Sequence, residues 1–464
     1  MSTRTQLDQD VFRILLYRND ATEILLETPS DRLSIPAVQV PAHTRGAEEI
    51  TAALKDTWNL ETVCLFTLPP DDPTRTPFRY QVVESCRPQA LPPAGTQWLP
   101  VASLLIDAFD DSGDFAAIQN SLITFDKYRR GELPGIFGKP AWLQTITEWV
   151  RAHATVAGLS LTGEFRQVNA SPTFSLIRFE TDGPALWFKA VGDPNLHEYR
   201  ITLKLASIFP RFLPHILAWQ PEWNAWLALE SAGRPLATDS NASTWAAAAE
   251  NLALLQISSF GRRFELINAG CKDLRPCCLA DLVDPVVDTM TKLMEQQTKL
   301  SPPPLSRQEV LSLGRDIAVA LRELGECAIP NTLGHLDMNP GNLLVGGTRC
   351  VFLDWAEAYV GPPSFSFQYL LEHLRQFQGP NSPHEKSLAA SYRRHWTRFA
   401  TPREIARAFR LAPLLAAFTY ATANRSWPNP KTIQPETAGR LRSLTRRMKR
   451  EADALRESRV PCIP

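Results

Sequence analysis

Three polar side chains at fixed spacing define the chemistry open to this sequence. Asp337 and Asn342 lie in His335-Leu-Asp-Met-Asn-Pro-Gly-Asn342, and Asp354 lies in Val351-Phe-Leu-Asp-Trp-Ala-Glu357. Two apolar runs join them, Leu343-Leu-Val345 and Cys350-Val-Phe-Leu353, on either side of a Gly346-Gly-Thr348 turn. Short apolar runs bounded by glycine read as the two arms of a hairpin. That hairpin brings Asp337 and Asn342 from one arm and Asp354 from the other to the same end of a sheet. Phosphoryl transfer needs such a set. One carboxylate takes the proton of the attacking hydroxyl, and an amide oxygen and a second carboxylate hold Mg²⁺ on the nucleotide phosphates. The rival reading is a polar loop with a satisfied Asp cap at each end.

The elements that must position a nucleotide precede the motif. Residues 161–169, 173–180 and 185–191 are three strand candidates with short turns. The first turn, Asn169-Ala-Ser-Pro-Thr173, lacks glycine. It reads either as an ordinary hairpin turn or as a phosphate-covering loop, in which Ser171 and nearby backbone N–H groups touch the phosphates. Leu186-Trp-Phe-Lys-Ala-Val191 is an apolar strand with one cation, Lys189, at its middle. A lone Lys there is costly to bury unless it is paired. The next helix supplies Glu198 as the partner, and a Lys–Glu pair reaching the α/β-phosphates is a kinase arrangement.

The pattern H-x-D-x-x-x-x-N, followed by Asp354 on a buried strand, resembles the catalytic motif of aminoglycoside phosphotransferases and their choline-kinase-like relatives. In that family the pattern is H-G-D-x-x-x-x-N followed by I-D-W or I-D-F; here Leu336 replaces the usual glycine. The tail Asp354-Trp-Ala-Glu-Ala-Tyr-Val-Gly-Pro-Pro363 resembles D-W-E-x-x-x-x-G-D-P, with Pro362 in place of Asp. A further family Asp before the next helix is missing, and Ser364-Phe-Ser-Phe367 stands there, with Ser366 among the departures. Leu229-Glu-Ser-Ala-Gly233 resembles the family's hinge, which implies that backbone groups around Glu230 to Ala232 pair with the adenine edge. The resemblance implies an α+β, two-lobed protein-kinase-like fold with a helical C-terminal region. It further implies that Asp337 is the catalytic base, His335 supports the catalytic loop, Asn342 and Asp354 hold Mg²⁺, and Lys189 steadies ATP. Helices are expected over 244–258, 281–297, 307–324, 367–378, 385–399, 402–424 and 436–457, the later ones on the acceptor-binding side.

A chain of 464 residues exceeds the ~250–300 at which single cores stop growing, so two or three domains are expected. The expected division is 1–105, 106–158 (a linker with a helix near 141–157), 159–232 (N-lobe) and 233–464 (C-lobe). Formal net charge is zero, which argues against nucleic acid as a partner. From residue 371 onward there are 18 Lys/Arg against 7 Asp/Glu, a local +11. Such a balance disfavours a polycationic acceptor, which needs a pocket of carboxylates when desolvated. A neutral or anionic hydroxylated small molecule is at least as suitable. No run approaches the ~18 apolar residues of a membrane span. The first ten residues are polar, without the apolar core of a signal peptide. The Cys271, Cys277, Cys278 trio lacks a nearby His or second Cys pair, so core thiols are favoured over zinc. A cytoplasmic protein with no nucleic-acid or membrane partner is the expectation.

The first 105 residues read as strands at 11–17, 22–27 and 79–84 around a helix over 47–58. This order resembles a Nudix-hydrolase domain, a small α/β fold. Aligning its R-E-x-x-E-E-x-G helix to finish before Leu60 puts Ala52 and Ala53 where Arg and the first Glu belong. Asp56 and Thr57 then replace the metal-binding Glu pair, and Asn59 the Gly. One carboxylate cannot hold the Mg²⁺ ions that diphosphate hydrolysis needs. The domain is therefore read as non-catalytic and docked on the kinase-like lobes. Two alternatives are a pseudokinase scaffold that binds nucleotide without turnover, and a Nudix-type hydrolase with a regulatory kinase-like domain.

Overall fold

The computed structural model describes residues 9–28, 32–42, 44–68, 78–423 and 433–458. They form two compact units, one of residues 1–199 and 215–230, the other of residues 200–214 and 231–464.

The first unit opens with a six-stranded mixed sheet. Its strands are β1 (Gln9–Arg18), β2 (Glu23–Glu27), β3 (Ala37–Pro41), β4 (Thr62–Leu68), β5 (Phe78–Ser85) and β6 (Thr96–Pro100), with α1 (Gly46–Trp58) between β3 and β4. The order is β4-β5-β1-β2-β6; β3 also pairs with β1, and β1 runs parallel to β5. Alternation along β1 gives the sheet two buried faces. Phe12, Ile14 and Leu16 pack with Ile50 and Leu54 of α1, while Leu15 and Tyr17 face a second cluster. That second cluster contains Ile118 and Phe125 of α2 (Ser112–Arg129) and Ile146 and Val150 of α3 (Trp142–Val156). It also contains Ile177 and Phe188 from a second, antiparallel sheet.

That sheet has the order β10-β11-β9-β8-β7, with β7 (Leu161–Ser171), β8 (Phe174–Thr181), β9 (Leu186–Ala190), β10 (Ile216–Gln220) and β11 (Ala225–Leu229). One core thus binds the N-terminal sheet to the 161–229 strands. A buried amide reinforces it: Gln167 of β7 accepts from Cys64 N–H (2.8 Å) and donates to Cys64 C=O (3.1 Å). Helix α4 (His197–Ile208) begins in this unit and continues into the second.

Sequence reading treats the part of the 106–158 linker before its helix near 141 as a connection, whereas the structure has the 18-residue α2 there. The buried stripe of α2 includes Asp114 and Ser121 beside Ala117, Ile118, Phe125 and Tyr128. Two polar residues on the inward face break the apolar period on which a helix assignment relies. Both are satisfied by tertiary partners: Asp114 pairs with Arg13 and accepts from Tyr80 Oη (2.8 Å), and Ser121 Oγ lies 2.5 Å from Tyr17 Oη.

Glu84, at the end of β5, caps α3. Both of its carboxylate oxygens are 2.9 Å from Ala141 N. Burial is the largest influence on Glu84 and pushes its pKa up to about 7, against the Ala141 hydrogen bond, which lowers it. A folded-state pKa above the unfolded value gives stability that is full below the unfolded pKa and is lost as pH rises through about 7. Glu84→Gln keeps an oxygen for Ala141 N–H without the charge. It is expected to raise stability at pH 8 by roughly 1–3 kcal/mol and leave it nearly unchanged at pH 4. Thermal melts of both proteins across pH 4–8 check this, and equal pH slopes would count against the buried charge.

The second unit is mainly helical: α5 (Ala242–Ser258), α6 (Arg263–Ala269), α7 (Pro276–Ala280), α8 (Val283–Glu295), α9 (Arg307–Gly325), α10 (Ser364–Gln378), α11 (Pro383–Arg393), α12 (Pro402–Ala423) and α13 (Pro435–Glu457). Two small sheets sit among them. One joins β12 (Arg234–Pro235) to the hairpin of β15 (Leu343–Gly346) and β16 (Arg349–Phe352). The other joins β13 (Lys272–Asp273), β14 (Thr332–His335) and β17 (Ala358–Gly361). Of the three cysteines read as core thiols, only Cys271 is buried; Cys277 is exposed and Cys278 half-buried. No helix of the described residues is long and apolar enough to cross a membrane.

Candidate active site

In the second unit β14 delivers His335 to the start of a loop that ends at β15. The entry is held from α10: Ser366 Oγ accepts from His335 N–H (2.8 Å) and lies 3.0 Å from Tyr359 Oη. Ser366 is where the family's acid is missing, and here it anchors the backbone. Gly334 is required beside it, since a Cβ at that position would meet the Tyr359 ring at 2.0 Å. Leu336, in place of the motif glycine, is 2% exposed and belongs to the main core. The Pro362 carbonyl accepts from Tyr359 Oη at 3.0 Å. The three departures from the motif are therefore taken up by packing and backbone hydrogen bonds.

Within the loop, Asp337 N–H donates to His335 Nδ1 (3.1 Å), so that nitrogen accepts, and His335 Nε2 donates to Leu353 C=O (3.0 Å). His335 is 2% exposed, with its ring centroid 4.8 Å from that of Trp355. It braces the loop against the far arm of the hairpin. Asn342 Nδ2 donates to Asp337 Oδ2 at 2.9 Å, and Asn339 N–H approaches Oδ1 at 3.3 Å. Asn342 C=O accepts from Leu353 N–H at 2.8 Å, which puts Asn342 and Asp354 at one end of the hairpin. Asp354 is exposed and has φ 63°, in the left-handed region that non-glycine residues seldom occupy. Asp337, Asn342 and Asp354 thus converge as the spacing predicts.

In the first unit Lys189, on the central strand β9, has its Nζ 2.6 Å from Glu198 Oε1. Their side chains are 13% and 2% exposed, so the buried cation has the partner that its cost demands. The Trp226 ring centroid, on the neighbouring strand, lies 5.6 Å from Nζ. Ser171 Oγ accepts from Phe174 N–H at 3.0 Å and closes the β7–β8 turn. Glu230 is tied by its carboxylate to Arg178 (3.0 and 3.1 Å), and its N–H already donates to Ala185 C=O at 2.8 Å. The Glu230 N–H is therefore committed and not open to an adenine edge. Gly233 follows with φ 130°, and a Cβ there would meet the Val345 carbonyl at 3.0 Å.

Sequence reasoning missed His373. It lies on α10 seven residues after Ser366, so on the same stripe of the helix. Burial lowers its pKa, while the charges of Asp337 and Glu372 act in the opposite sense. Its spacing from Ser366 is the only signal the sequence offered.

Residues 222–408 match the model of the phosphotransferase enzyme family. No curated protein matches the chain. Among solved structures, a choline kinase from Cryptosporidium parvum Iowa II aligns at 12% identity and a TM-score of 0.47, covering 67% of this chain and 97% of its own. The macrolide 2'-phosphotransferase of Brachybacterium faecium aligns at 16% and 0.43, covering 64% and 98%. The ethanolamine kinase of Plasmodium vivax aligns at 15% and 0.43, covering 66% and 85%. The phosphotransferase resemblance stands over residues 222–408, and the described residues are α+β as expected. The Nudix likeness of residues 1–105 is not among these matches.

Proposed function

We propose that the chain is an ATP-dependent phosphotransferase acting on a hydroxyl of a small molecule. The observation that supports this best is the convergence of Asp337, Asn342 and a left-handed Asp354 at one hairpin end. In this reading Asp337 orients the acceptor hydroxyl and takes its proton as the bond from that oxygen to the γ-phosphorus forms and the bond from the γ-phosphorus to the bridging oxygen breaks, releasing ADP. The Asn342 amide nitrogen and the His335-braced backbone fix the carboxylate in place. Lys189, held by Glu198, steadies the α/β-phosphates.

The donor set suits Mg²⁺. Asn342 spends its amide nitrogen on Asp337, which leaves its oxygen, and Asp354 adds a carboxylate. Mg²⁺ is typically held by one or two protein oxygens together with phosphates and water. Among the described residues no group of three or more His, Cys, Asp or Glu could hold a metal alone. When bound, Mg²⁺ neutralises charge on the β- and γ-phosphate oxygens.

Turnover is favoured over a pseudokinase scaffold because Leu336, Pro362 and Ser366 remove no group that the chemistry uses. Residues 1–105 act as a packing or recognition domain, with only Asp56 in the acidic positions of their helix. Seven cysteines among the described residues are free, which suits a reducing cytoplasm. An ADP-release screen over aminoglycosides, macrolides, sugars, nucleosides and amino alcohols tests the reading. At least one acceptor is expected to raise ADP release above the rate with water alone. Failure of every class, with ATP still bound, would favour the scaffold.

A further inference from the structure

The first unit contains a cavity of about 630 Å³ between the N-terminal sheet and the tip of the β7–β8 hairpin. Its size suits a small organic molecule. Phe12, Phe66 and Tyr128 supply aromatic surface, and Asn169 and Ser171 supply polar side chains; the Gln81 amide is committed to Thr67, Phe66 and Val82. Among the described residues lining it, Arg79 is the one formal charge, with no carboxylate beside it. Ala47, in the first turn of α1, completes the wall. Helix α1 has no side-chain cap at its N-terminus, and its first turn carries Glu48 and Glu49, so an anionic group is assigned to Arg79 and not to the helix end. Glu48 is paired with Arg166 of β7 at 3.3 Å.

The hairpin tip is also seated on backbone. Phe137 N–H donates to Pro172 C=O at 3.2 Å, and a Cβ on Gly135 would come within 2.0 Å of the same oxygen. The tip that forms part of the cavity wall is therefore already fixed at Pro172, and an occupant would complete its support.

We propose that this cavity is an effector site for a small molecule with an aromatic body and a single anionic group, a carboxylate or a phosphate, which Arg79 binds. Occupancy tightens the hairpin tip at residues 169–174. If that tip covers the nucleotide phosphates, a consequence resting on the phosphotransferase reading, the effector tunes nucleotide binding; the site itself does not depend on that reading.

The test uses the full chain and probes without adenine, so that the nucleotide site is not involved. Indole-3-acetate and phenyl phosphate are titrated by calorimetry, with indole-3-acetamide and phenol as neutral counterparts. At least one anion is expected to bind, roughly tenfold or more tighter than its counterpart. Arg79→Ala, at an exposed position, is expected to weaken it by a similar factor, and Ala47→Phe to abolish it by filling the cavity. With the anion bound, hydrogen exchange of the amides at 169–174 slows. Inorganic phosphate alone binds more weakly than phenyl phosphate if the aromatic wall contributes. The proposal is overturned if neither anion binds, if the neutral counterparts bind equally, if Arg79→Ala changes nothing, or if exchange at 169–174 is unaltered.

Discussion

Asp337→Ala is expected to leave a folded protein that binds nucleotide and transfers phosphate on the order of 10²–10⁴ more slowly. The carboxylate is the only one between His335 and Asn342, and both of its oxygens are oriented, by Asn342 Nδ2 and by Asn339 N–H. It is half-buried and belongs to no ion pair among the described residues, so its position is not explained by a structural salt bridge. Asp337→Asn separates orientation from proton transfer, because the amide keeps the shape and cannot take a proton. Both variants are expected to lose kcat with little change in nucleotide affinity. A near-normal kcat in a folded Asp337→Asn protein would falsify the base assignment. Unchanged melting temperature and nucleotide binding in the same samples would show that the loss lies in the chemical step.

How much of this was legible depends on whether the signal is local. The β15–β16 hairpin follows from two apolar runs and a Gly-Gly turn, and Lys189 with its Glu198 partner follows from the cost of burying an ammonium. These assignments need only neighbours in sequence. Helix α2 was not legible, because Asp114 and Ser121 occupy its inward face and their partners, Arg13 and Tyr17, lie about a hundred residues away. A polar residue on a buried face reads as solvent-facing until the residue satisfying it is known. The same holds for Ser366, where the sequence shows only a missing acid. The structure shows a hydroxyl that accepts the His335 backbone N–H, a bond spanning 31 residues.

The hinge illustrates a third limit. Backbone groups around Glu230 are chemically suited to an adenine edge, but their availability is a matter of pairing. Glu230 N–H is committed to Ala185, and nothing in the residue types between Leu229 and Gly233 announces that. Motif resemblance identifies which side chains can react. It does not show which backbone groups are already spent, and those constrain where a nucleotide base can be read.

The second large effect is expected at Asp354. Asp354→Asn should weaken nucleotide binding in the presence of Mg²⁺ by roughly 10–100-fold and leave metal-free binding nearly unchanged. Asn is the informative substitution because Asp354 has φ 63°, a left-handed conformation that Asn tolerates better than most residues. The backbone entering the Trp355–Glu357 turn can then persist, and what changes is one negative charge at a candidate metal position. An Ala at this position would add backbone strain and confuse the two causes. Titrating ATP into both proteins by calorimetry, with Mg²⁺ and with EDTA, gives four affinities. If Asp354 and Asn342 hold the ion jointly, the ratio of the Mg²⁺ affinities falls and the ratio in EDTA stays near one. Equal losses under both conditions would mean that Asp354 acts on the nucleotide or on the fold without the ion, and Asn342 would lose its proposed role with it.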